Sequence, residues 1–503
     1  MKSRSLLFGF FLVSLYASPQ AIRKNFVFLQ PTDTGADIVR KAAQVVPSAQ
    51  QLRWQQLEVT GFFHFGINTF TGREWGDGKE DPKLFNPAQF DARQWVRTAK
   101  EAGIRQVILT AKHHDGFCLW PTATTVHSVK SSPWKAGKGD VVKEVAAACR
   151  EYQVGFGVYL SPWDRNAPVY GTEEYNTFFV SQLTELLTDY GRVDEVWFDG
   201  ANGEGPNGKK QVYDFDRWYR LIRRLQPAAV IAIMGPDVRW VGTETGYGRE
   251  QEWSVVPVNN LDTKAIAEKS QQGIAFRPQG DMRGDDLGSR EKIKYAKGLA
   301  WYPAETDVSI RPGWFFHEKE NDKIKTPEKL LDIYYNSVGR NGVLLLNIPP
   351  DARGLVHDSD AHHLLVWKEL LDQTFSGNLA TGATIKSENG RHAGAMLDND
   401  YKSYWTTNGK DTTAVIEYML KGSKTFDVLL LQENIALGQR IEKFVLEYQE
   451  GGQWKKATEG TTVGYKRLLR FTPVTAGKLR LRILSSRSNP TLSAFGIYKQ
   501  GTK

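Results

Sequence analysis

Cysteine is scarce in this chain. Only Cys118 and Cys149 occur among 503 residues, one beside a predicted loop and the other in a helical segment. Two cysteines placed in this way do not build a disulfide framework, so two free, buried thiols are predicted. The same scarcity gives a cysteine nucleophile little support.

Long hydrophobic runs are lacking as well. An apolar run at residues 6–15 is too short to cross a bilayer, but it follows Lys2 and Arg4 and precedes Ala17. This order of positive charge, apolar core and small residues is typical of a secretory signal, which we predict over residues 1–17. Because no cysteine lies near Ala17, a lipoprotein anchor is not predicted. We expect an exported protein without a membrane span, either secreted or periplasmic.

A concentrated charge of one sign is also absent. The formal net charge is +8, two of these charges belong to the predicted signal, and the others are spread thinly. The densest basic stretch, residues 217–224, alternates with apolar side chains as a solvated amphipathic helix would. No Gly-x-Gly-x-x-Gly loop follows the first predicted strand. We therefore expect no nucleic-acid partner and find no support for nucleotide binding.

What the chain does contain is a regular alternation of strand-like and helix-like segments that begins near Leu57. The alternation loosens between residues 236 and 307 and returns at residues 326–347. This pattern predicts an α/β fold, an irregular (β/α)8 TIM-like barrel over residues 18–356. An open doubly wound sheet is the alternative, which the missing glycine-rich loop disfavours. The strands predicted before residue 240 are 61–65, 106–110, 155–160, 196–198 and 229–234.

The last quarter of the sequence has a different texture. A polar helix is predicted at residues 358–375, inside a helical linker at 357–376. Short alternating strands separated by Gly, Asn and Lys turns then predict a separate β-sandwich over residues 377–503. Its clearest predicted strands are 413–419, 428–432, 444–448 and 478–483.

Polar and aromatic residues stand where the predicted barrel strands end. Because the carboxyl ends of barrel strands share one face, these residues should form a cup, and such a cup suits a sugar. A lone Asp199 would more often cap a helix or bind a loop amide, and a lone histidine often packs in a core. Metal ligation by the histidines is the rival interpretation, although no His-x-His or His-Glu-x-x-His motif supports it. The residues at the strand ends are His64, His113, His114, Tyr159, Trp163, Trp197 and Asp199.

Four short motifs carry a family resemblance. They read His-Phe-Gly at 64–66, Glu-Trp-Gly at 74–76, Lys-His-His-Asp-Gly-Phe at 112–117 and Val-Trp-Phe-Asp-Gly at 196–200. Over residues 52–350 the chain resembles the α-L-fucosidases of glycoside hydrolase family 29. The resemblance implies a retaining exo-glycosidase that acts on fucosylated glycans, with Asp199 as the nucleophile. It also implies fucose contacts at His64, Glu74, Trp75, His113, His114, Tyr159 and Trp197, and an apolar wall at Trp314 for the sugar's methyl group.

A retaining enzyme needs a second carboxyl group, and several glutamates follow the later strands. We predict Glu244, because residues 239–246 resemble the acid/base loop of the subfamily that cleaves α-1,3 and α-1,4 branches. Glu252 is the second choice, and Glu204, Glu250 and Glu305 are the other candidates. The two roles require opposite environments: the nucleophile needs hydrogen-bond donors, and the acid needs burial or a nearby negative charge.

The C-terminal segment resembles discoidin-type (F5/8 type C) modules at residues 395–400, 404–407 and 478–482. Such modules imply carbohydrate binding or a structural calcium ion, and a domain that only supports the barrel is an equal alternative. For catalysis we expect no metal and no other cofactor. The predicted function is an exo-α-L-fucosidase that removes terminal fucose from α-1,3/1,4-linked, Lewis-type glycans. A metal hydrolase and a noncatalytic glycan-binding protein are the competing hypotheses.

Overall fold

The structure, a computed structural model, describes residues 25–258 and 285–501. The predicted signal, residues 1–17, lies outside the described residues. Within the described ranges, no helix has the length and apolar character that a membrane crossing requires. Cys118 and Cys149 are both free and buried, which confirms the prediction made for them.

Strands and helices alternate through the first two thirds of the chain, and strands dominate the last third. The helices of the described residues are Gly35–Ala42, Ala49–Gln55, Ile67–Thr71, Ala92–Glu101, Val141–Tyr152, Glu173–Thr188, Phe215–Leu225, Arg290–Ile293, Pro327–Asn336 and Asp358–Phe375. The strands are β1 (Phe26–Phe28), β2 (Val59–Phe63), β3 (Gln106–Lys112), β4 (Gly155–Leu160), β5 (Glu195–Phe198), β6 (Val230–Ile233), β7 (Arg239–Trp240), β8 (Val255–Val258), β9 (Gly298–Trp301), β10 (Ala304–Ser309), β11 (Val343–Asn347), β12 (Thr384–Ser387), β13 (Gly390–Arg391), β14 (Trp405–Thr407), β15 (Ala414–Gln432), β16 (Ile441–Glu450), β17 (Gln453–Gly460), β18 (Arg467–Ser486), β19 (Thr491–Leu492) and β20 (Ala494–Tyr498).

Eight parallel strands form the catalytic half of the molecule. Their order is β6-β5-β4-β3-β2-β11-β10-β7, and a single parallel bridge between Ala232 and Val238 joins the two ends of the sheet. All residues of β2, β3, β5 and β11 are buried, as expected for strands covered by helices outside and by side chains inside. The predicted TIM-like barrel is confirmed.

The barrel is irregular on one side only. No helix separates β6 from β7; a tight turn does, in which a side chain at Gly235 would meet the Ile231 carbonyl oxygen at 2.4 Å. Between β7 and β10 the chain instead forms β8 and β9, which pair antiparallel and make a small sheet with β1. This insertion is the reason why the sequence pattern loosens after residue 236.

Outer helices bury one face each. In Phe215–Leu225, Trp218, Leu221 and Ile222 are buried, and an Asp214 side chain caps the first turn at the amide of Arg217. The basic stretch at residues 217–224 is therefore the outer face of an amphipathic helix, as predicted.

The C-terminal domain is an antiparallel sandwich. One sheet has the order β12-β15-β18-β16-β17, with β20 also on β15, and a small second sheet has the order β13-β14-β19. Two predicted strands, 413–419 and 428–432, belong to one long strand, β15, whose register shifts between Met419 and Lys424. Gly422 lies in this irregularity with a φ of 80°, so the break in pattern is a bulge rather than a turn.

The helix Asp358–Phe375 lies between the two domains. Its residues Leu364, Trp367 and Leu370 belong to the main core of the barrel, and Phe375 meets Tyr498 of the sandwich at a ring distance of 5.2 Å. The segment predicted as a linker thus packs against both halves of the molecule.

Candidate active site

A cavity of about 180 Å³ opens at the carboxyl ends of the barrel strands. Barrel enzymes keep their chemistry at this end, so a larger hollow of about 390 Å³ at the amino-terminal end is a weaker candidate. The cavity brings together most of the predicted site residues. Its lining consists of Phe62, His64, Trp75, His113, His114, Trp197, Asp199, Gly200, Ala201, Trp240, Glu244, Asp307 and Trp314.

Asp199 stands directly after β5, where inward-facing residues alternate along the strand. Tyr159 donates its hydroxyl to Asp199 Oδ2 at 3.1 Å, and the Ala201 amide donates to Oδ1 at 2.7 Å. His114 Nε2 lies 3.8 Å from Oδ2, and the Asp199 side chain is 18% exposed. Each carboxyl oxygen of Asp199 thus accepts one hydrogen bond, and the two donors fix the orientation of the carboxyl group.

Two histidines present a bare ring nitrogen to the cavity. Asn347 donates both amide hydrogens, to Ser309 Oγ and to the Trp314 carbonyl, so its Oδ1 accepts from His64 Nδ1 at 2.9 Å. Burial lowers the pKa of His64 to about 3, so the ring is neutral and its Nε2 carries a lone pair. Sequence reasoning placed His64 correctly but had no means to assign its tautomer.

His114 is fixed in the same way. Ser161 donates its hydroxyl to the Trp163 carbonyl at 2.6 Å and therefore accepts from His114 Nδ1 at 2.8 Å. Burial lowers the pKa of His114, although the charge of Asp199 opposes this shift. In the neutral ring, Nε2 is an acceptor for a hydroxyl hydrogen of a ligand.

His113 lies between these two rings. Its ring centre is 4.1 Å from that of His114 and 5.9 Å from that of His64, and its Nδ1 has no hydrogen-bond partner. Burial and the two neighbouring imidazoles hold its pKa well below the ordinary value. In the same Lys-His-His-Asp-Gly-Phe motif, buried Lys112 pairs with Asp164 at 2.8 Å and so supports the turn after β3.

Glu74 and Tyr159, both predicted as fucose contacts, do not line the cavity. Each contacts a residue that does: Glu74 contacts Trp314, and Tyr159 contacts Asp199. Glu74 accepts from the Trp314 amide at 2.8 Å and contacts His317 Nε2 at 2.5 Å, so it fixes the loop that carries Trp314. Trp75 is 55% exposed and packs edge-on against His114. Its position suits an aromatic platform at the cavity mouth.

Three indole groups around the site each donate to a carboxyl group. Trp197 Nε1 donates to Glu305 at 2.8 Å, Trp240 Nε1 to Asp307 at 2.7 Å, and Trp314 Nε1 to Glu244 at 3.4 Å. These hydrogen bonds hold the aromatic walls in place.

Glu244 lies at the mouth of the cavity. Removal from water raises its pKa, and the charges of Asp199 and Glu74 raise it further, while the long hydrogen bond from Trp314 lowers it. Its side chain is solvent-exposed in part, so the shift is moderated by solvent. A carboxyl group with a raised pKa that lines the same cavity as Asp199 meets the requirement for a proton donor.

The other glutamates occupy different environments. Glu252 is 1% exposed and forms buried ion pairs with Arg239 and Arg249, away from the cavity lining. Glu305 is buried inside the barrel against Trp197, and Glu250 and Glu204 do not line the cavity. Of the five candidates, the structure brings only Glu244 to the site.

Sequence reasoning did not find Phe62, Trp240 or Asp307. The signal for Asp307 was present, since Glu305 and Asp307 alternate on β10 just as Glu195, Trp197 and Asp199 alternate on β5. It was hidden because the segment before residue 307 shows no clear helix and strand rhythm.

No group of three or more His, Cys, Asp or Glu side chains is placed to hold a metal ion in residues 25–258 and 285–501. In the acidic loop at residues 398–400 of the sandwich, the carboxyl groups bind backbone amides: Asp398 accepts from the Asp400 amide, and Asp400 accepts from the Lys402 amide. The predicted calcium ion stays a prediction without a matching cluster of side chains.

Comparisons with known proteins identify the family of each domain. A family model described as Alpha-L-fucosidase matches residues 53–371, and one described as F5/8 type C domain matches residues 376–495. Alpha-L-fucosidase 1 of Arabidopsis thaliana is 45% identical over 465 residues, which is 90% of this chain and 87% of the relative.

Solved structures share the fold over most of the chain. A Bacteroides ovatus protein is 54% identical with a TM-score of 0.85, and the match covers 95% of this chain and 78% of that one. A Ruminococcus gnavus glycoside hydrolase family 29 fucosidase, solved in complex with fucose, is 33% identical with a TM-score of 0.80, covering 91% and 95%.

A parallel barrel whose cavity joins carboxyl groups to histidine and tryptophan side chains is the architecture of a glycoside hydrolase. The chain belongs to the α-L-fucosidase family, glycoside hydrolase family 29, and carries an F5/8 type C domain after its barrel. The family resemblance of the motifs is confirmed, and the hypothesis of a noncatalytic glycan-binding protein is set aside. The α-1,3/1,4 subfamily stays a prediction.

Proposed function

We propose that this α-L-fucosidase is a retaining exo-enzyme that releases terminal L-fucose through a covalent fucosyl-enzyme, with Asp199 as nucleophile and Glu244 as acid/base. The observation that carries the proposal is that both carboxyl groups line one cavity and that the charge of Asp199 raises the pKa of Glu244. A retaining mechanism requires such a pair, about 5 to 5.5 Å apart.

In the first step, an Asp199 oxygen attacks the anomeric carbon while Glu244 transfers its proton to the glycosidic oxygen. The bond to the leaving sugar breaks, and a fucosyl ester of Asp199 forms with inverted configuration. Tyr159 and the Ala201 amide hold the two Asp199 oxygens before attack. The nucleophile therefore needs little reorganisation.

In the second step, the roles change. Formation of the ester removes the negative charge of Asp199, and with it one of the causes that raise the pKa of Glu244. Glu244, now ionised, takes a proton from water as the water oxygen attacks the anomeric carbon. Fucose leaves with its original configuration, and Asp199 is an anion again.

Recognition of the sugar follows from the two histidine tautomers. His64 Nε2 and His114 Nε2 accept hydrogen bonds from fucose hydroxyls, and the aromatic rings of Trp75, Trp197 and Trp314 contact its C–H face and methyl group. A cavity of about 180 Å³ fits a single sugar unit and supports exo-action.

The proposal includes export through residues 1–17, catalysis without a metal, and a preference for α-1,3/1,4 linkages. The similarity of the Glu244 loop to one subfamily supports this linkage preference. Dialysis against a chelator should leave the turnover rate unchanged, whereas the metal-hydrolase hypothesis requires its loss.

One experiment tests both stereochemistry and linkage. The enzyme is mixed with an α-1,3-linked and, separately, an α-1,2-linked fucosyl oligosaccharide, and the first released fucose is followed by proton NMR. We expect the α-anomer to appear first and the α-1,3 substrate to react faster. The β-anomer appearing first would refute the double displacement, and a faster α-1,2 reaction would refute the linkage preference alone.

A further inference from the structure

Asp307 is a third carboxyl group in the cavity, beside Asp199 and Glu244. It lies near the carboxyl end of β10, on the side of the barrel ring that β7 and β11 flank, and it is 5% exposed. Trp240 Nε1 donates to its Oδ1 at 2.7 Å, which fixes the orientation of the carboxyl group. A buried carboxyl group held toward a ligand cavity calls for a function.

The side chains that line the cavity offer a sugar mainly hydrogen-bond acceptors. His64 Nε2, His114 Nε2 and the Asp199 carboxyl oxygens are acceptors, and the neutral His113 ring adds a single N–H group. The indole N–H groups of Trp197, Trp240 and Trp314 are already committed to carboxyl groups. Each sugar hydroxyl carries lone pairs as well as a hydrogen, so its oxygen also requires a donor.

A neutral carboxylic acid supplies such a donor. Burial raises the pKa of Asp307 to about 8, and the nearby charges of Glu244 and Asp199 add to the shift, while the hydrogen bond from Trp240 opposes it. Glu305, two residues earlier on β10, also interacts with Asp307. Below a pH of about 8, the Asp307 carboxyl group therefore keeps its proton.

We propose that Asp307 is a further substrate-binding residue, which donates a hydrogen bond from its carboxyl group to a hydroxyl oxygen of the bound sugar while Trp240 holds its other oxygen. The inference rests on the proposed use of this cavity as the fucose site. Asp307 takes no part in the covalent steps; it binds and orients the sugar.

Two substitutions of similar size separate hydrogen bonding from packing. Asp307→Asn keeps an oxygen for Trp240 and an N–H group for the sugar, whereas Asp307→Leu fills the same space and offers neither. We expect KM for an aryl fucoside at pH 7 to rise on the order of tenfold or more in Asp307→Leu and at most about threefold in Asp307→Asn. Equal KM increases in both variants, or none in Asp307→Leu, would overturn the proposal.

A pH series supplies a readout that a structural role would not move. In the native enzyme, KM should rise as the pH passes about 8, because Asp307 loses the donated proton there. Asp307→Asn should abolish this rise, and Glu305→Gln, which changes the neighbouring carboxyl group on the same strand, should keep it. Persistence of the rise in Asp307→Asn would contradict the proposal.

The same variants distinguish the two proposals. If the native enzyme releases fucose with retention but both Asp307 variants keep the native KM, only the present inference fails. If retention is not observed, the proposed mechanism fails first. Fucose binding measured by calorimetry on folded Asp307→Asn and Asp307→Leu proteins decides the role of Asp307 without reference to turnover, and equal affinities would count against it.

Discussion

At the scale of single residues, identical functional groups acquire different roles from their partners. Asp199 receives two hydrogen bonds of 3.1 Å and 2.7 Å, and Glu244 receives one long hydrogen bond of 3.4 Å at the cavity mouth. Burial and the neighbouring charges raise the pKa of Glu244, and its single long hydrogen bond opposes this shift only weakly. These different surroundings match the proposed roles of Asp199 as nucleophile and Glu244 as proton donor.

The Glu244 assignment predicts a loss that depends on the leaving group. In Glu244→Ala, turnover of natural glycans should fall about 10²-fold to 10⁴-fold, because their leaving oxygen needs a proton. An aryl fucoside with an acidic phenol should keep its first step, and azide should accelerate the second step and yield α-fucosyl azide. Rates on the two substrate classes and NMR of the azide product check this.

The exposed neighbour Glu250 offers a matched control on the same loop. Glu250→Ala should keep the native dependence on the leaving group and show no azide rescue. Uniform losses in Glu244→Ala without rescue would remove Glu244 from the mechanism. In Asp199→Ala the azide product should instead have the β configuration, because azide then replaces the nucleophile itself.

Motif residues were predictable, but their hydrogen-bond states were not. Asp199, His64 and His114 stand at strand ends that the sequence pattern located. The tautomer of His64 depends on Asn347, which is 283 residues away in the chain. Asp307 was not predicted because the irregular pattern before residue 307 hid its strand, and its hydrogen bond with Trp240, a residue of the neighbouring strand β7, depends on the fold.

At the scale of secondary-structure elements, the loop after β7 is fixed by buried charge. Arg239 donates to Glu252 and to the carbonyl oxygens of Trp253 and Tyr302, and Arg249 contacts the same carboxylate. Burial lowers the pKa of Arg239, and Glu252 offsets this effect. This network holds the base of the loop that carries Glu244.

Removal of the Glu252 charge should therefore act on stability rather than on the chemical step. Glu252→Gln removes the counter-charge of the fully buried Arg239 guanidinium and breaks the ion pair with Arg249, and we expect a loss of about 3 kcal/mol in the free energy of unfolding. Urea titration measures this, and Glu250→Gln should change stability by less than about 0.5 kcal/mol.

Kinetics on the folded Glu252→Gln protein decide between the two glutamates. Its sensitivity to the leaving group should equal that of the native enzyme. If the variant has the native free energy of unfolding and yet shows azide rescue, Glu252 is the acid/base and the assignment of Glu244 is refuted.

The irregular strands between β6 and β10 could not be predicted from the sequence pattern. Strand β7 has two residues, and its place in the barrel depends on pairing with β10 rather than on any local preference. The sequence pattern correctly indicated loss of the regular rhythm between residues 236 and 307. It contained no information about the antiparallel sheet that β1, β8 and β9 form.

At the scale of the whole molecule, the sandwich supports the catalytic half through buried polar contacts. Gln439 donates to the Glu252 carbonyl oxygen at 2.9 Å and accepts from the Ser254 amide at 2.7 Å. The Tyr465 amide donates to Asn341 at 2.7 Å, and Lys466 pairs with Glu58. The C-terminal domain thus touches the same segment that holds Glu252.

Gln439→Leu should consequently weaken both domains together. The substitution leaves the Ser254 amide buried without its acceptor and removes one of the two donors to the Glu252 carbonyl, which still accepts from Asn341. We expect this to cost about 1 to 3 kcal/mol. We expect thermal unfolding to remain a single transition at lower temperature, with tryptophan fluorescence and far-ultraviolet circular dichroism in agreement. Separate transitions for the two signals would show that the domains are independent.

The pairing of β11 with β2 has a consequence for biosynthesis. His64 directly follows β2, the first strand of the ring, and Asn347 ends β11, the last strand, so the hydrogen bond between them can form only after residue 347 has left the ribosome. Asp199, the proposed nucleophile, is synthesised well before that point. The hydrogen bond that fixes the His64 tautomer, which we propose for sugar recognition, forms almost 150 residues later, when β11 pairs with β2 and the ring closes.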